Sequence, residues 1–291
     1  MTKVASRMES TIQKLPVTYD KILLPLSRPE TIESLVRIAC DLMTKKGGSL
    51  LLVNVVEVPP QLPYSAVEKT DASKELLIKA ANFAKSLGVN ASMEMVNARM
   101  ASDAIVSLAS QYGSNLILLG SSQRMVHQKV LFGNVVDKVL MSAPCDVVVF
   151  SYTSEMKPIG YERILVPTSG YRHAQRALEI GIDFEMKFGG KLSSIYVGKM
   201  SDTKTSDAIL DMAKQRAGKF GVDHETIFRS GSVTENIINE AKKGKYSLII
   251  IGSNERPQYF KFLLGSTADE IVNRAPCNVL VVSTKAKADK A

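Results

Sequence analysis

Apolar runs of five to nine residues punctuate the chain, with helix-spaced stretches between them, and the whole series occurs twice. Runs at 21–26, 49–56, about 89–97, 115–119 and 146–151 are matched by runs at 163–168, 191–197, 222–229, 247–251 and 278–283. The most hydrophobic of them, 115–119 and 247–251 above all, are continuous in Val, Ile and Leu rather than alternating, as expected of strands covered on both faces of a parallel sheet. Between the first two runs, Ile32, Leu35, Val36, Ile38, Ala39 and Leu42 recur at helical spacing. Helices are also predicted near 71–87, 101–112 and 134–142, and again near 205–220, 232–243 and 266–274. Gly47-Gly48 and Gly189-Gly190 are expected to stop the first helix of each series. The Pro-rich connection from Pro59 to about Thr70 reads as an irregular loop.

The second series repeats the first almost literally. Leu116–Val149 and Leu248–Val281 correspond at a constant offset of 132, while Lys21–Pro25 and Arg163–Pro167 correspond at 142. One duplicated module therefore accounts for nearly the whole molecule. The order βαβαβαβαβ, met twice, predicts an α/β protein of two tandem doubly wound (Rossmann-like) domains, each a five-stranded parallel sheet flanked by helices. The domains are expected at 19–152 and 160–284, after an N-terminal extension (1–18) and before a small charged tail (285–291).

Composition narrows the choice of partner. A net charge of +8 could suggest nucleic acid, but the excess is thin in both halves, with 16 basic against 13 acidic residues in 1–150 and 21 against 16 beyond. No dense basic stripe or base-stacking motif accompanies it, so no nucleic acid partner is expected. No apolar run is long enough to span a bilayer, and no signal segment opens the chain, so a cytoplasmic protein without membrane insertion is expected. Cys40, Cys145 and Cys277 form neither a disulfide framework nor a metal motif and read as buried small hydrophobes. His127, His173 and His224 occupy positions that do not repeat and read as exposed polar residues. No nucleophile elbow, Walker-type loop or helical HExxH occurs, so no catalytic or metal residue is assigned.

The glycines after each fourth strand, taken with the strand–helix order, resemble those of the universal stress protein family in tandem form. The resemblance covers about 20–151 and 162–284. In nucleotide-binding members the fourth strand ends in Gly-x2-Gly-x9-Gly-Ser/Thr, whose backbone amides approach phosphates at a helix N-terminus. In the second repeat that pattern falls on Gly252, Glu255, Gly265 and Ser266, with Ser253 and Thr267 alongside. In the first it falls on Gly120, Gln123, Gly133 and Asn134. The family's nucleoside-contacting aspartate falls on Ser27 and Ser169, and its adenine-contacting valine on Val55 and Val197. The resemblance thus implies a pocket for ATP or a related adenine nucleotide, with Mg2+ entering only with the nucleotide, better kept in the second repeat. Serine for aspartate removes a charged acceptor for ribose hydroxyls, and Glu255 sets a negative charge beside the phosphate path. Arg124, His127 and Lys129, and Arg256 and Lys261, lie in the same loops and could neutralise phosphate, or could simply solvate them. For Ser266 a phosphate contact and a helix cap both remain open, whereas Asn134 reads as an N-cap.

The expected function is that of a cytoplasmic stress-response or regulatory protein, with slow ATP hydrolysis as the most that could be asked of it. The alternative is a nucleotide-independent interaction module. The segment Val56–Pro63 is similar to one in stress-like domains that regulate transporters, which would have to be separate subunits here. Family members pair through their last strands, so Val147–Phe150 and Val279–Val282 are expected to pair within one chain as a pseudo-dimer, with room for a homodimer beyond it.

Overall fold

The computed structural model describes residues 17–44, 47–66, 70–122, 133–152, 159–253 and 266–285. Repeat 1 comprises β1 (Lys21–Pro25), α1 (Ile32–Leu42), β2 (Ser49–Glu57), α2 (Asp71–Ser86), β3 (Ala91–Ala98), α3 (Ala101–Gln111), β4 (Leu116–Ser122), α4 (Asn134–Ser142) and β5 (Asp146–Tyr152). Repeat 2 comprises β6 (Arg163–Pro167), α5 (Arg172–Phe188), β7 (Lys191–Gly198), α6 (Thr203–Gly218), β8 (His224–Ser230), α7 (Val233–Lys243), β9 (Leu248–Gly252), α8 (Ser266–Arg274) and β10 (Asn278–Ser283). The protein is α/β, and each repeat is doubly wound as its apolar runs require.

The two sheets are fused. Strands run in the order β3-β2-β1-β4-β5-β10-β9-β6-β7-β8, parallel within each repeat. They are antiparallel only at the junction, where Ser283 faces Val147, Val281 faces Val149 and Val279 faces Ser151. The last strands therefore pair within the chain. This pairing covers two apolar edges that would otherwise invite aggregation. It also makes the cores continuous. On one face, α1, α2, α5 and α6 cover Leu24, Leu52, Phe150, Val166, Ile250 and Leu280. On the other, α3, α4, α7 and α8 cover Leu23, Ile117, Val149, Leu165, Ile249 and Val281. Each fully buried Leu or Ile in this layer contributes roughly 1.5–3 kcal/mol relative to exposure.

All six apolar positions read for the first helix are buried in α1. The glycine stops hold in one repeat only. Gly189 caps α5 at φ 71°, but α1 ends at Leu42, well before Gly47. Just past the helix end, Thr44 bonds Tyr19 three times: its amide donates to the Tyr19 carbonyl (3.0 Å), its Oγ1 accepts from the Tyr19 amide (2.8 Å), and the same hydroxyl donates to the Tyr19 carbonyl (3.2 Å). Cys277 is buried, whereas Cys40 and Cys145 are half-buried rather than fully inside. Burial pushes all three thiols up to about 12, which leaves them protonated and inert. No helix among the described residues is long and apolar enough to cross a membrane.

Candidate functional site

In an open doubly wound sheet the crevice for a ligand lies beyond the carboxyl ends of the strands where the winding reverses. Here that is between β1 and β4 in repeat 1, and between β6 and β9 in repeat 2. Because β5 and β10 are antiparallel, the two crevices open on opposite edges of the sheet.

Strand register gathers the sequence-derived candidates at these points. In repeat 1, Pro25 faces Val53 and Leu23 faces Ile117. Continuing the register sets Ser27 level with Val55, and Gly120 one step below. In repeat 2, Pro167 faces Ile195 and Leu165 faces Ile249, which sets Ser169 level with Val197 and brings Gly252 alongside. Val55 and Val197 are half-buried against the α3/α4 and α7/α8 core. Ser169 is half-buried and Ser27 exposed.

The glycines at the ends of β4 and β9 have a packing reason of their own. A Cβ at Gly252 would lie 2.4 Å from the carbonyl carbon and oxygen of His173, backbone atoms in the first turn of α5. At Gly120 it would meet only the end of the Leu35 side chain, at 2.8 Å. Next to Gly252, Ser253 is 2% exposed and its amide donates to Val282 O at 2.8 Å. That amide already extends the β9–β10 ladder, so a ligand could use only what remains of the residue.

At the far side of the crevice, α4 does not start as the sequence predicts. Gly133 is the N-cap, at φ 108°, and Asn134 is the first helical residue, exposed and making no capping bond. The left-handed φ is what a glycine there provides. The first-turn amides of α4 consequently lack a side-chain cap, the condition in which a helix N-terminus accepts an anion. In repeat 2, α8 begins at Ser266, and Thr267 is half-buried in its first turn. Gly265, Gln123, Arg124, His127, Lys129, Glu255, Arg256 and Lys261, together with the side chain of Ser266, lie outside the described residues.

Three side chains at these ends are not anticipated by the sequence reading. Asn54 interrupts the apolar run of β2, is 7% exposed, and donates from Nδ2 to Leu26 O at 2.8 Å, fixing the turn that carries Ser27. Arg99 donates to the carbonyls of Val58 (3.2 Å), Pro59 and Leu62 (2.8 Å), and its guanidinium lies 4.5 Å above the Tyr64 ring. In repeat 2, Gln175 Nε2 holds Gly170 O at 2.9 Å beside the first turn of α5. A polar residue inside an apolar strand run was a usable signal for Asn54. Arg99, a lone exposed-type residue after a strand, offered none.

His224 corrects an expectation. It is buried at the start of β8, 7% exposed, with Nε2 2.8 Å from Ser194 Oγ. Burial holds its imidazole down at about 4, neutral at ordinary pH. His173 is half-buried and stacks with Tyr171 at 6.0 Å. Among the described residues no group of three or more His, Cys, Asp or Glu side chains is placed to hold a metal ion. An open cleft of about 550 Å3 is lined by Tyr161, Arg163, Phe188 and Lys191, at the amino ends of β6 and β7, opposite the crevice.

The sequence profile of the universal stress protein family matches residues 18–151 and, a second time, residues 160–283. The chain belongs to the universal stress protein family. Universal stress protein YxiE of Bacillus subtilis (strain 168) is 26% identical over 146 residues, which is 42% of this chain and 99% of the relative. Single-domain universal stress proteins of this kind thus match one repeat's length. A universal stress protein from Archaeoglobus fulgidus superposes over 91% of this chain and 98% of its own, with a TM-score of 0.68 at 21% identity. The cytoplasmic domain of a prokaryotic cation chloride cotransporter superposes over 91% and 95%, with a TM-score of 0.62 at 12% identity. At these identities the structural likenesses establish the fold alone.

Proposed function

We propose that this tandem universal stress protein is a regulator that takes an adenine nucleotide at the carboxyl end of repeat 2, with repeat 1 as a supporting half. One observation carries the reading. After β7 the chain crosses to α6 in four residues, Lys199–Asp202, leaving Met200 70% exposed and, in the neighbouring turn, Tyr171 68% exposed. After β2 the chain takes a long loop, and Val58, which matches Met200, is 1% exposed beneath it. The β7–α6 connection beside the crevice of repeat 2 is a short turn, whereas the β2–α2 connection beside that of repeat 1 is a long loop that buries Val58, although Ser27 itself is exposed and Ser169 half-buried.

The residues of repeat 2 suit such a ligand in part. Val197 offers strand backbone at the level of Ser169, whose hydroxyl is a neutral acceptor for a ribose, and α8 begins at Ser266 on the same edge. The nucleotide would bring its own phosphates and Mg2+, and nothing among the described residues assigns a base for hydrolysis. Restoring a charged acceptor by Ser169→Asp should tighten binding of a fluorescent ATP analogue about tenfold, since charge-assisted hydrogen bonds exceed neutral ones by about 1 kcal/mol. Ser27→Asp should leave it unchanged. Equal gains at both positions, or none at either, would contradict the assignment.

A second reading, docking of the protein on a separate transporter subunit, is favoured by one feature. The Pro-rich segment after β2 is held rigid by Arg99, with Leu62 and Tyr64 turned outward. A nucleotide-free protein that still captures its partner through this segment would favour it.

A further inference from the structure

The amino ends of the first two strands of each repeat are finished differently. In repeat 1, α1 stops at Leu42, and the next two residues pack back on the start of β1. Thr44 bonds Tyr19, and Met43 fills the space beside Gly48, where a Cβ would lie 2.7 Å from its sulfur. Val17, Tyr19 and Met43 are all buried there. At the offset of 142, Leu42 corresponds to Phe184, but α5 continues for four more residues to Phe188. The counterparts of Met43 and Thr44, Glu185 and Met186, therefore stay in the helix and do not return to the sheet. Ile159 and Tyr161, which match Val17 and Tyr19, are only half-buried. What remains is the cleft of about 550 Å3 between the starts of β6 and β7, a volume typical of small-molecule sites.

The lining defines the ligand. One wall is aromatic: Phe188 stacks on Tyr161 with ring centroids 4.4 Å apart and planes at 13°, yet stays 44% exposed. Tyr161 is fixed by donating its Oη to the Asp41 carboxylate. The other wall is cationic. Arg163 and Lys191 are register partners on β6 and β7, and neither forms an ion pair with a described residue. Arg163 Nε is buried without a hydrogen-bond partner, its guanidinium lying 5.0 Å above the Tyr246 ring. A donor left in that state calls for an acceptor. Tyr161 packs with the α5/α6 face of the sheet and Tyr246 with the α7/α8 face, so rings and guanidinium meet across the strand ends. Glu162 also lines the cleft, so its three charged side chains leave one net positive charge. That balance suits a monoanion better than a phosphate dianion, which would meet Glu162.

We propose that the amino end of repeat 2 is a binding site for a small arylalkyl carboxylate, its acid group held by Arg163 and Lys191 and its ring laid on Phe188. The site is independent of the nucleotide reading, whose crevice lies at the opposite ends of the same strands. The test titrates para-fluorophenylpropionate into the full-length protein and follows the probe by fluorine NMR. Saturable binding is expected, with the neutral analogue para-fluorophenylpropanol at least about tenfold weaker, because the charge-assisted hydrogen bonds are lost. Phe188→Ala should weaken the acid about tenfold through loss of stacking. Arg163→Gln should do the same but also disturbs the contact with Tyr246, so the exposed Lys191→Gln, expected to weaken binding about threefold, isolates the charge. Lys21→Gln, the place of Arg163 in repeat 1, should change nothing. Absence of saturable binding, equal affinity for acid and alcohol, or an unchanged affinity in both Lys191→Gln and Phe188→Ala would each overturn the proposal.

Discussion

The carboxyl ends of the two repeats are built from the same strands and closed by different means. In repeat 1 the chain beyond β2 is drawn onto the end of β3 by Arg99, while Glu57 Oε1 accepts the amide of Ala101 at 2.7 Å and Asn97 Nδ2 reaches Tyr64 O at 3.0 Å. In repeat 2 the residue matching Arg99, counted back from the equivalent helices α3 and α7, is Gly231, and the loop it would hold is missing. Loop and pin are present together or absent together. A shared fold thus carries different connections at its two carboxyl ends, a pinned loop after β2 in repeat 1 and a short turn after β7 in repeat 2.

The largest expected contrast lies in the paired glycines. Gly252→Ala drives a methyl into the backbone of α5 and should cost more than about 3 kcal/mol in urea unfolding, whereas Gly120→Ala displaces only a leucine tip and should cost about 1 kcal/mol. Equal costs would mean that α5 can yield where it now touches β9.

Next comes pH. The native His224 binds its proton near pH 4, whereas the unfolded residue binds it near 6.5. Between those values the unfolded state takes up a proton that the native state refuses, so stability falls as pH falls through this window, by about 3 kcal/mol in all. Repeat 1 has Leu52 and Ala91 at the matching places. Importing that pair as Ser194→Leu with His224→Ala should flatten the urea midpoint between pH 6.5 and 4, and a slope that persists would trace the effect to other groups.

Arg99→Ala should cost about 2 kcal/mol, from hydrogen bonds made by a charged donor, and should open residues 58–66 to limited proteolysis. A loop as resistant as before would show that Tyr64 and Asn97 hold it without Arg99. Smallest of all, Met200→Ser on the open rim should change stability by less than about 0.5 kcal/mol, checked by thermal unfolding. A larger loss would mean that Met200 is packed rather than free.

Much of this architecture was legible in the chain. Continuous Val/Ile/Leu runs force strands to be covered on both faces, and the duplication forces the second domain to copy the first. Punctuation was less legible. Gly47-Gly48 looked like a helix stop, but Thr44 ends the helix earlier through a contact with Tyr19 that no local pattern encodes. Asn134 had the chemistry of an N-cap, yet the backbone needed a left-handed residue one position earlier and Gly133 supplied it. His224 carried no sign of burial, because it depends on Ser194, thirty residues away. At the candidate site, register explains why Ser27, Val55 and Gly120, and Ser169, Val197 and Gly252, assemble in two sets. The residues meant to meet phosphate between β4 and α4, and between β9 and α8, are mostly outside the described residues.

The most direct test of the central claim is a calorimetric titration of Mg-ATP into the full-length, nucleotide-stripped protein. The account expects saturable binding at one site per chain, lost in Ser169→Tyr and kept in Ser27→Tyr. Two sites, a site that disappears with Ser27→Tyr instead, or no heat from a folded protein would contradict it.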